Sequence, residues 1–314
     1  MTLDDVQRGL RESRGSVAIA GGRTEVTEPP AADLLIDATR FDRIVEYVPS
    51  DQVVMAECGV TLAALQRELA KNGQRLALDP AQPGKATLGG IVAANSYGPL
   101  RTRYGSVRDL IIGVSVIRAD GTRAKGGGKV VKTVAGFDLP KLMCGSGGTL
   151  ALIATVTFRV HPLPEAVLTL VERGLDAGGV IELVRKVRRQ QLEPAAMMAR
   201  KEQSYEVWIR FEGFREGVRA QREKLREMDE AAWPASEPAG SVRFGALPTD
   251  LPRVEKALRA PFHWYPTLGL GFANATGFDD FAGFGGWIGR PLPSSPGLHQ
   301  AVKSRLDPEG RLPS

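Results

Sequence analysis

Glycine and alanine dominate residues 83–103, PGKATLGGIVAANSYGPLRTR, and this run constrains the fold more than any other part of the chain. Two adjacent glycines, Gly89 and Gly90, lead into the small residues 93–96 and then into a turn at Gly98. A backbone without bulky side chains can approach a large ligand closely and direct successive N–H groups towards it. Pyrophosphate is the natural occupant of such a groove. Because the spacing fits neither the Rossmann nor the Walker pattern, the run predicts a different dinucleotide cradle.

The composition is typical of a globular protein with one large or two medium domains. The 314 residues are 43% hydrophobic and 25% charged, and both values are ordinary for such proteins. No window approaches the roughly 18 uninterrupted apolar residues of a membrane helix. Residues 1–15 lack the basic start and apolar core of a signal peptide. We therefore expect a cytoplasmic protein.

Cysteine usage and charge argue against two classes of function. Cys58 and Cys144 lie in apolar surroundings, which predicts small buried side chains, and two isolated thiols cannot ligate an iron–sulfur cluster. The net charge of +5 is modest. Its basic clusters, at 184–191 and 215–227, are typical of solvated helix faces, and aromatic residues are too few for a stacking platform. We expect no nucleic-acid partner.

Hydrophobic patterning predicts a mixed helical and stranded chain with a boundary near Pro162 and Pro164. Before the boundary, the pattern indicates a helix that Thr61 caps and Gly73 ends, and strands at 17–20, 34–36, 44–47, 53–56, 110–118 and 151–160. After it, strands at 167–171 and 205–211 alternate with helices at 179–191 and 215–228. That order suggests a small α/β sandwich. Periodicity is weak from 233 to 296, and residues 297–314 return to a helix and a turn.

Several motifs in this order resemble the flavoprotein superfamily named for vanillyl-alcohol oxidase and p-cresol methylhydroxylase (PCMH). They are IAGGRTE at 19–25, the PSD turn at Pro49, the glycine-rich run extended through 86–113, and GGKVVKTVAGFDLPKLMCGSGGTLALI at 127–153. The last of these is similar to the FAD-binding E subunits of bacterial glycolate oxidases in particular. The resemblance implies an α+β fold in which a two-subdomain PCMH-type FAD-binding domain (residues 1–165) grips an extended FAD. A smaller α/β cap domain (166–296) follows, and a C-terminal segment (297–314) returns to the FAD domain.

The resemblance also implies the residues that contact FAD. Two loops hold the pyrophosphate, further residues lie along the ribityl chain and flavin ring, and others hold the adenosine end through main-chain contacts. The expected contact residues are Ala20, Gly21, Gly22, Arg23, Thr24, Thr87, Leu88, Gly89, Gly90, Ala94, Asn95, Gly98, Tyr104, Gly105, Gly148 and Ile153. The first loop contains no histidine or cysteine, so FAD is expected to be noncovalent.

The function that the resemblance implies is that of an FAD-binding subunit in a glycolate oxidase, a 2-hydroxy acid dehydrogenase complex. The implied partners are a catalytic flavoprotein subunit and an iron–sulfur subunit. The 2-hydroxy acid binds at the level of the complex, and the chain meets the inner membrane only through its partners. We expect an electron-relay or assembly role for this chain.

Oxidation of a 2-hydroxy acid needs a base near the hydroxyl, a cation for the carboxylate and a hydride acceptor. The chain has three histidines, His161, His263 and His299, and none has metal-ligand spacing with another. His263, in PFHWYP, is the candidate base, and a packed interdomain histidine is its alternative interpretation. No metal site is expected.

Two alternatives remain open. The first is an autonomous FAD-dependent 2-hydroxy acid oxidase or dehydrogenase. The second is a structural subunit that has lost FAD. Two departures from the family pattern favour this alternative. Arg23 stands where the superfamily usually has a third glycine, and the Asn-Pro-Gly step that usually follows the Asp-Pro-x-Gly ending is missing after residues 307–310.

Overall fold

The computed structural model describes residues 2–25, 28–128, 137–234, 242–274 and 296–313. The chain divides into two compact units. The first comprises Met1–Gly98, Gly105–Leu163 and Pro293–Ser314, and the second comprises Pro99–Tyr104 and Pro164–Leu292. The chain therefore leaves the first unit after Gly98 and re-enters it at Gly105.

Helices and strands are mixed along the whole of the described chain, which confirms the α+β class. The α-helices are α1 (Leu3–Glu12), α2 (Leu62–Ala70), α3 (Leu88–Ala94), α4 (Arg101–Tyr104), α5 (Val107–Leu110), α6 (Leu139–Met143), α7 (Ala177–Arg189), α8 (Arg215–Lys224), α9 (Leu251–Leu258) and α10 (Pro296–Leu306). The strands are β1 (Val17–Ala20), β2 (Leu34–Asp37), β3 (Ile44–Val48), β4 (Val53–Glu57), β5 (Gln74–Arg75), β6 (Ile111–Ile117), β7 (Arg123–Gly127), β8 (Leu152–Arg159), β9 (His161–Pro162), β10 (Ala166–Leu175), β11 (Ala196–Lys201), β12 (Tyr205–Gly213), β13 (Asp229–Glu230), β14 (Val242–Gly245), β15 (Phe262–Tyr265) and β16 (Leu270–Ala273).

The first unit is built on an antiparallel sheet with the order β3-β4-β8-β6-β7 in its described residues. A separate parallel pair, β1 and β2, carries the loop that follows Ala20. Apolar side chains of α2 and α3, including Leu65 and Ile91, pack into the same core as Val156 and Phe158 of β8. Burial of each such side chain contributes about 1.5–3 kcal/mol, so α3 is firmly seated.

Local sequence explains where α2 and α3 begin. Each helix follows a threonine whose hydroxyl accepts a hydrogen bond from a backbone N–H of the first turn: Thr61 from Ala64, and Thr87 from Gly90. Asn95 ends α3 in the left-handed conformation, with φ of +50°. Asparagine adopts that conformation more readily than most residues. The predicted turn at Pro49 is a 3₁₀ turn, Pro49–Asp51.

The second unit departs from the strand–helix–strand–helix order that the sequence suggested. Its described residues form an antiparallel sheet in the order β13-β10-β12-β11-β15-β16-β14. Four elements in the described part of the region of weak periodicity were not predicted: α9, β14, β15 and β16. Proline and glycine interrupt the apolar pattern there, and α9 begins with Pro252 in its first turn, where proline is tolerated. The predicted helix at 215–228 ends earlier, at Lys224.

Candidate functional site

The first loop (residues 21–25) lies directly against the residues that precede α3. A Cβ atom on Gly22 would stand 1.8 Å from the main-chain oxygen of Lys85, and a Cβ atom on Gly21 would stand 2.7 Å from Oγ1 of Thr87. Real Cβ atoms do not approach other atoms this closely, so only glycine allows the two backbones to meet. The structure therefore brings together Gly21, Gly22 and Thr87, as the sequence predicted for a dinucleotide cradle.

Thr87 joins the first loop to the helix. Its Oγ1 accepts hydrogen bonds from the N–H of Gly90 and from the N–H of Gly22, both at 3.4 Å. Thr87 is only 2% exposed, so its hydroxyl cannot be replaced by water without opening the packing. Two further backbone hydrogen bonds fix the start of α3: the N–H of Leu88 donates to the main-chain oxygen of Val60, and the N–H of Gly89 donates to that of Cys58.

The first loop continues along α3 to the other end of the helix. Ser96, which follows the helix, is buried and donates its hydroxyl to Oε1 of Glu25 at 2.7 Å. Residues 21 and 22 thus meet the helix start and Glu25 meets its end. Seven helical residues span about 10 Å, so the first loop follows α3 from one end of the helix to the other.

The residues that lead into α3 form the second loop, and a third loop (residues 145–149) packs on the carboxyl end of α3. The N–H of Gly145 donates to Val92 O at 3.0 Å and the N–H of Gly147 donates to Ala93 O at 2.8 Å. Gly145, Gly147 and Gly148 have φ of +83°, +63° and +78°, which is a conformation that glycine adopts without strain. The three glycine-rich segments therefore meet along one short helix.

Two buried polar atoms at this end of the helix have no hydrogen-bond partner among the described residues. They are Oδ1 of Asn95 and Oγ of Ser146, and Ser146 is 4% exposed. Buried polar atoms are nearly always paired, so both atoms mark places where a polar ligand group would be satisfied. At the start of α3 the backbones are too close for any Cβ atom, and at the end of α3 two buried polar atoms have no partner among the described residues. Both features fit an extended dinucleotide.

Arg23 adopts a left-handed backbone conformation, with φ of +54°. That region is strained by roughly 1–2 kcal/mol for residues other than glycine. Glycine would adopt this backbone conformation without strain, whereas this chain holds an arginine in it. Thr24 follows it, and Ala20, which precedes the loop, ends β1 with its side chain buried.

Other predicted contact residues have roles in packing. Gly98 lies against Asp79, whose main-chain oxygen would stand 2.2 Å from a Cβ atom on Gly98. Gly105 has φ of +82° and lies against Asp109. The side chains of Leu88 and Ile153 are in the core, so only their main chains are available to a ligand, and the same holds for Gly148.

Tyr104 belongs to the second unit, whereas Gly98 and Gly105 belong to the first. Its hydroxyl donates to Oε2 of Glu212 at 2.9 Å. The Glu212 side chain is fully buried and also forms an ion pair with Arg210 at 2.6 Å. The tyrosine hydroxyl is therefore already engaged within its own unit.

The three histidines lie in three different elements. His263 is in β15, where its ring stacks on Phe272 with centroids 5.0 Å apart and an interplanar angle of 22°. His161 pairs with Arg75 in the short β5–β9 ladder, and its burial, together with Arg159 and Arg75, lowers its pKa. His299 is half-buried on α10. Among the described residues, no group of three or more His, Cys, Asp or Glu is arranged to hold a metal ion.

The cysteines are packing residues in this geometry. Cys58 is 1% exposed, and its Cβ would stand 2.7 Å from a Cβ atom on Gly89. Burial raises the pKa of the Cys58 and Cys144 thiols to about 12. Both thiols are therefore protonated and unreactive at neutral pH.

Sequence reasoning missed four residues of this region: Glu25, Lys85, Ser96 and Ser146. The C-G-S-G-G-T spacing around Ser146 was a usable signal, because a serine between glycines in a tight loop is seldom buried by chance. Nothing local in the sequence indicated the Glu25–Ser96 hydrogen bond, which joins residues 71 positions apart. Residues 129–136, which are part of the segment that resembles the E subunits in particular, lie outside the described residues.

Comparison with known proteins places this geometry among flavin-binding chains. A family model described as "FAD binding domain" matches residues 2–127. Glycolate oxidase subunit GlcE of Escherichia coli is 30% identical over 98% of this chain and 94% of its own length. A D-lactate dehydrogenase of Anaerostipes hadrus is 35% identical, but the match covers 50% of this chain and only 30% of that protein. In structure, alkyldihydroxyacetonephosphate synthase matches 99% of this chain and 74% of its own, with a TM-score of 0.76 and 16% identity. This last likeness shows the fold alone.

Proposed function

The chain belongs to the family of FAD-linked hydroxy acid oxidoreductases that includes glycolate oxidase subunit GlcE, and from that premise we propose that it is the FAD-binding subunit of a glycolate-oxidising complex. FAD is its cofactor. The full-length match to GlcE supports the assignment to a subunit, whereas the match to a complete D-lactate dehydrogenase spans less than a third of that enzyme.

One observation supports the proposed cofactor site most directly: the backbones at Gly22 and Lys85 are too close together to leave room for a Cβ atom. We assign the FAD pyrophosphate to a groove beside this contact, lined by the first loop and the start of α3, and the adenosine end to the third loop. The proposed contact residues are Ala20, Gly21, Gly22, Arg23, Thr24, Thr87, Leu88, Gly89, Gly90, Ala94, Asn95, Gly98, Tyr104, Gly105, Gly148 and Ile153. When bound, FAD supplies a two-electron acceptor that can pass its electrons on one at a time.

The residues of this chain contribute binding and orientation. Thr87 fixes the spacing of the two pyrophosphate loops through its hydroxyl. Arg23 adds a positive charge beside the loops, because its guanidinium forms no ion pair with the described residues and a pyrophosphate carries two negative charges. Asn95 and Ser146 offer buried polar atoms to the other end of the cofactor. No side chain of the first loop has a thiol or imidazole that would form a covalent flavin bond, so FAD is held noncovalently.

The proposed role is electron relay or assembly beside a catalytic flavoprotein subunit and an iron–sulfur subunit. The packing of His263 supports this role over autonomous oxidation, because a ring stacked on Phe272 within a sheet is held for packing rather than for moving a proton. The name of the GlcE relative, which is itself a subunit, supports the presence of partners. Within the described residues, no helix is long and apolar enough to cross a bilayer. The proposed location is the cytoplasm, and the inner membrane is reached only through partners.

The visible spectrum of the purified, desalted chain tests the proposal. We expect a yellow protein that releases all of its FAD on denaturation and that glycolate does not bleach under anaerobic conditions. Reduction should begin when the catalytic flavoprotein subunit is added together with glycolate. Bleaching of the isolated chain would instead establish an autonomous 2-hydroxy acid dehydrogenase. A colourless chain that refuses added FAD would leave a structural subunit.

A further inference from the structure

Three charged side chains are buried in the last described segment of the chain, far in sequence from the three glycine-rich segments. Lys303 is 7% exposed, Asp307 is 2% exposed and Arg311 is 5% exposed. Charged groups are rarely buried unless partners satisfy them. All three belong to the first unit, and their partners show which parts of that unit they hold.

Lys303 uses its ammonium group to hold the third loop. Its Nζ donates to the main-chain oxygen of Thr149 at 3.2 Å, to Oδ2 of Asp307 at 3.1 Å and to the main-chain oxygen of Leu312 at 3.1 Å. An ammonium has three donors, so every donor is engaged. Thr149 directly follows Gly148, and its own N–H and hydroxyl both donate to Ser146 O. The lysine therefore ties one end of the third loop to α10.

Arg311 holds the strand that delivers the first loop. Its main-chain oxygen accepts a hydrogen bond from the N–H of Val17, the first residue of β1, at 2.7 Å. Its guanidinium donates to the main-chain oxygens of Leu10, Gly15 and Ala119 at 3.0, 2.9 and 2.6 Å. The start of β1 is thus fixed four residues before Gly21.

Asp307 couples these two anchors. Its carboxylate accepts from the N–H groups of Arg311 and Leu312, both at 2.9 Å, and from Lys303 Nζ. One carboxylate therefore folds residues 307–312 into a tight turn and sets the lysine and the arginine at a fixed spacing. Charge-assisted hydrogen bonds of this kind are stronger than neutral ones, and burial leaves no water to replace them.

We propose that Lys303, which lies far in sequence from the three glycine-rich segments, is a positioning residue for FAD. Together with Asp307 and Arg311 it sets the distance between the first and third loops, and so the fit of the groove to both ends of the cofactor, without contacting FAD itself. The inference rests on the FAD site proposed above. It also assigns a role to the Asp-Pro-x-Gly ending: Asp307 is the hub, and the missing Asn-Pro-Gly step is not needed for it.

The variant Lys303→Met tests the proposal, with Val302→Ala as its matched control on the same helix. Val302 packs against the core of the first unit, and its aliphatic side chain can form no hydrogen bond to either loop. FAD is titrated into each deflavinated chain, after circular dichroism has shown that the chain is folded. We expect the Kd for FAD to rise about tenfold in Lys303→Met, as for other couplings between packed elements, and to change less than twofold in Val302→Ala. An unchanged Kd in folded Lys303→Met, or an equal rise in both variants, would overturn the proposal.

Hydrogen exchange in the unmodified chain decides the matter if Lys303→Met does not fold. Addition of FAD should slow exchange at the N–H groups of Val17, Arg311 and Leu312 several-fold, because these bonds belong to the anchor and not to the groove. Slowing confined to the three glycine-rich segments would refute the coupling while leaving the FAD site intact. Failure of the unmodified chain to bind FAD at all would refute the proposed function and this inference with it.

Discussion

Gly22 and Lys85 lie so close together that a single methyl group cannot be placed between them: a Cβ atom on Gly22 would stand 1.8 Å from the main-chain oxygen of Lys85. The two residues come from different loops, 63 positions apart in the chain. Their contact fixes the first loop against the residues that precede α3.

Gly22→Ala should weaken FAD binding strongly. The added methyl group must move the first loop away from Lys85 by more than 1 Å, and the loss of one or two hydrogen bonds to the charged pyrophosphate, about 1.5–3 kcal/mol each, should raise the Kd for FAD roughly 100-fold. Fluorescence titration of the deflavinated protein with FAD measures the effect. Gly84→Ala is the control, because a Cβ atom there meets nothing within 4 Å. Equal affinities of the two variants would contradict the assignment of the cradle.

Thr87→Val should weaken FAD binding as well as stability. The change removes the hydroxyl that accepts from Gly90 and Gly22, and the loss of a helix cap costs about 1 kcal/mol. Thr61→Val is the matched control: it removes the equivalent cap of α2, through Ala64, at similar cost. Urea denaturation should show comparable losses in the two variants, whereas only Thr87→Val should raise the Kd for FAD. A raised Kd in both would mean that stability alone governs binding.

Arg23→Gly should stabilise the FAD-free chain and weaken FAD binding. Glycine relieves the strain at φ of +54°, although its freedom in the unfolded chain offsets part of the gain, so the expected increase in the free energy of unfolding is up to about 1 kcal/mol. Gln52→Gly, at φ of +56° and outside the proposed site, should give a similar gain with no change in FAD affinity. Unchanged FAD affinity in Arg23→Gly would remove the arginine from the site.

Glu57→Gln should lower stability at neutral pH but not in acid. The Glu57 side chain is 4% exposed and accepts from Arg43 Nη2 at 2.7 Å and from the N–H of Arg43 at 3.1 Å. These bonds hold the pKa of Glu57 below its ordinary value of 4.5. The carboxylate therefore contributes stability above pH 4.5, and this contribution is lost as the pH falls through the lowered pKa.

Denaturation at a series of pH values measures this effect. At pH 7 the variant should lose about 1.5 kcal/mol, the usual value for a hydrogen bond to a charged group, and the two curves should converge as the pH falls below 4.5. A difference between the two proteins that is constant across the whole pH range would show that the loss comes from packing rather than from charge.

Tyr104→Phe and Glu212→Gln measure what the Tyr104 hydroxyl contributes to packing, and Tyr104→Phe also tests whether that hydroxyl contacts FAD. Removal of the tyrosine hydroxyl loses one hydrogen bond to Glu212 and should cost about 1 kcal/mol. Neutralising Glu212 leaves its ion-pair partner Arg210 uncompensated and should cost about 3 kcal/mol. Thermal denaturation checks both values. If Tyr104 binds FAD through its ring or main chain, Tyr104→Phe will keep its FAD affinity; a loss of affinity would place the hydroxyl in the site.

Much of the fold could be predicted because it follows from local pattern. The apolar spacing of Leu62, Leu65 and Leu69 indicates α2, which buries that face, and the apolar run at 151–160 indicates β8, most of whose residues are buried. The short strands β14, β15 and β16 could not be predicted in this way, because glycine and proline interrupt the apolar pattern around them and their pairing with one another and with β11 is tertiary.

The sequence by itself determined the chemistry of this protein: where glycine permits close backbone approach, which threonine and asparagine bound α3, and the absence of a thiol or imidazole from the first loop. Only the tertiary structure decided which of these residues meet. Contacts such as Gly22 with Lys85, Ser96 with Glu25 and Lys303 with Thr149 join positions 63, 71 and 154 residues apart. The physical reason is that a glycine allows a close contact and a buried charge requires a partner, and both can be recognised locally. Which residue becomes the partner depends on how the core brings distant segments together.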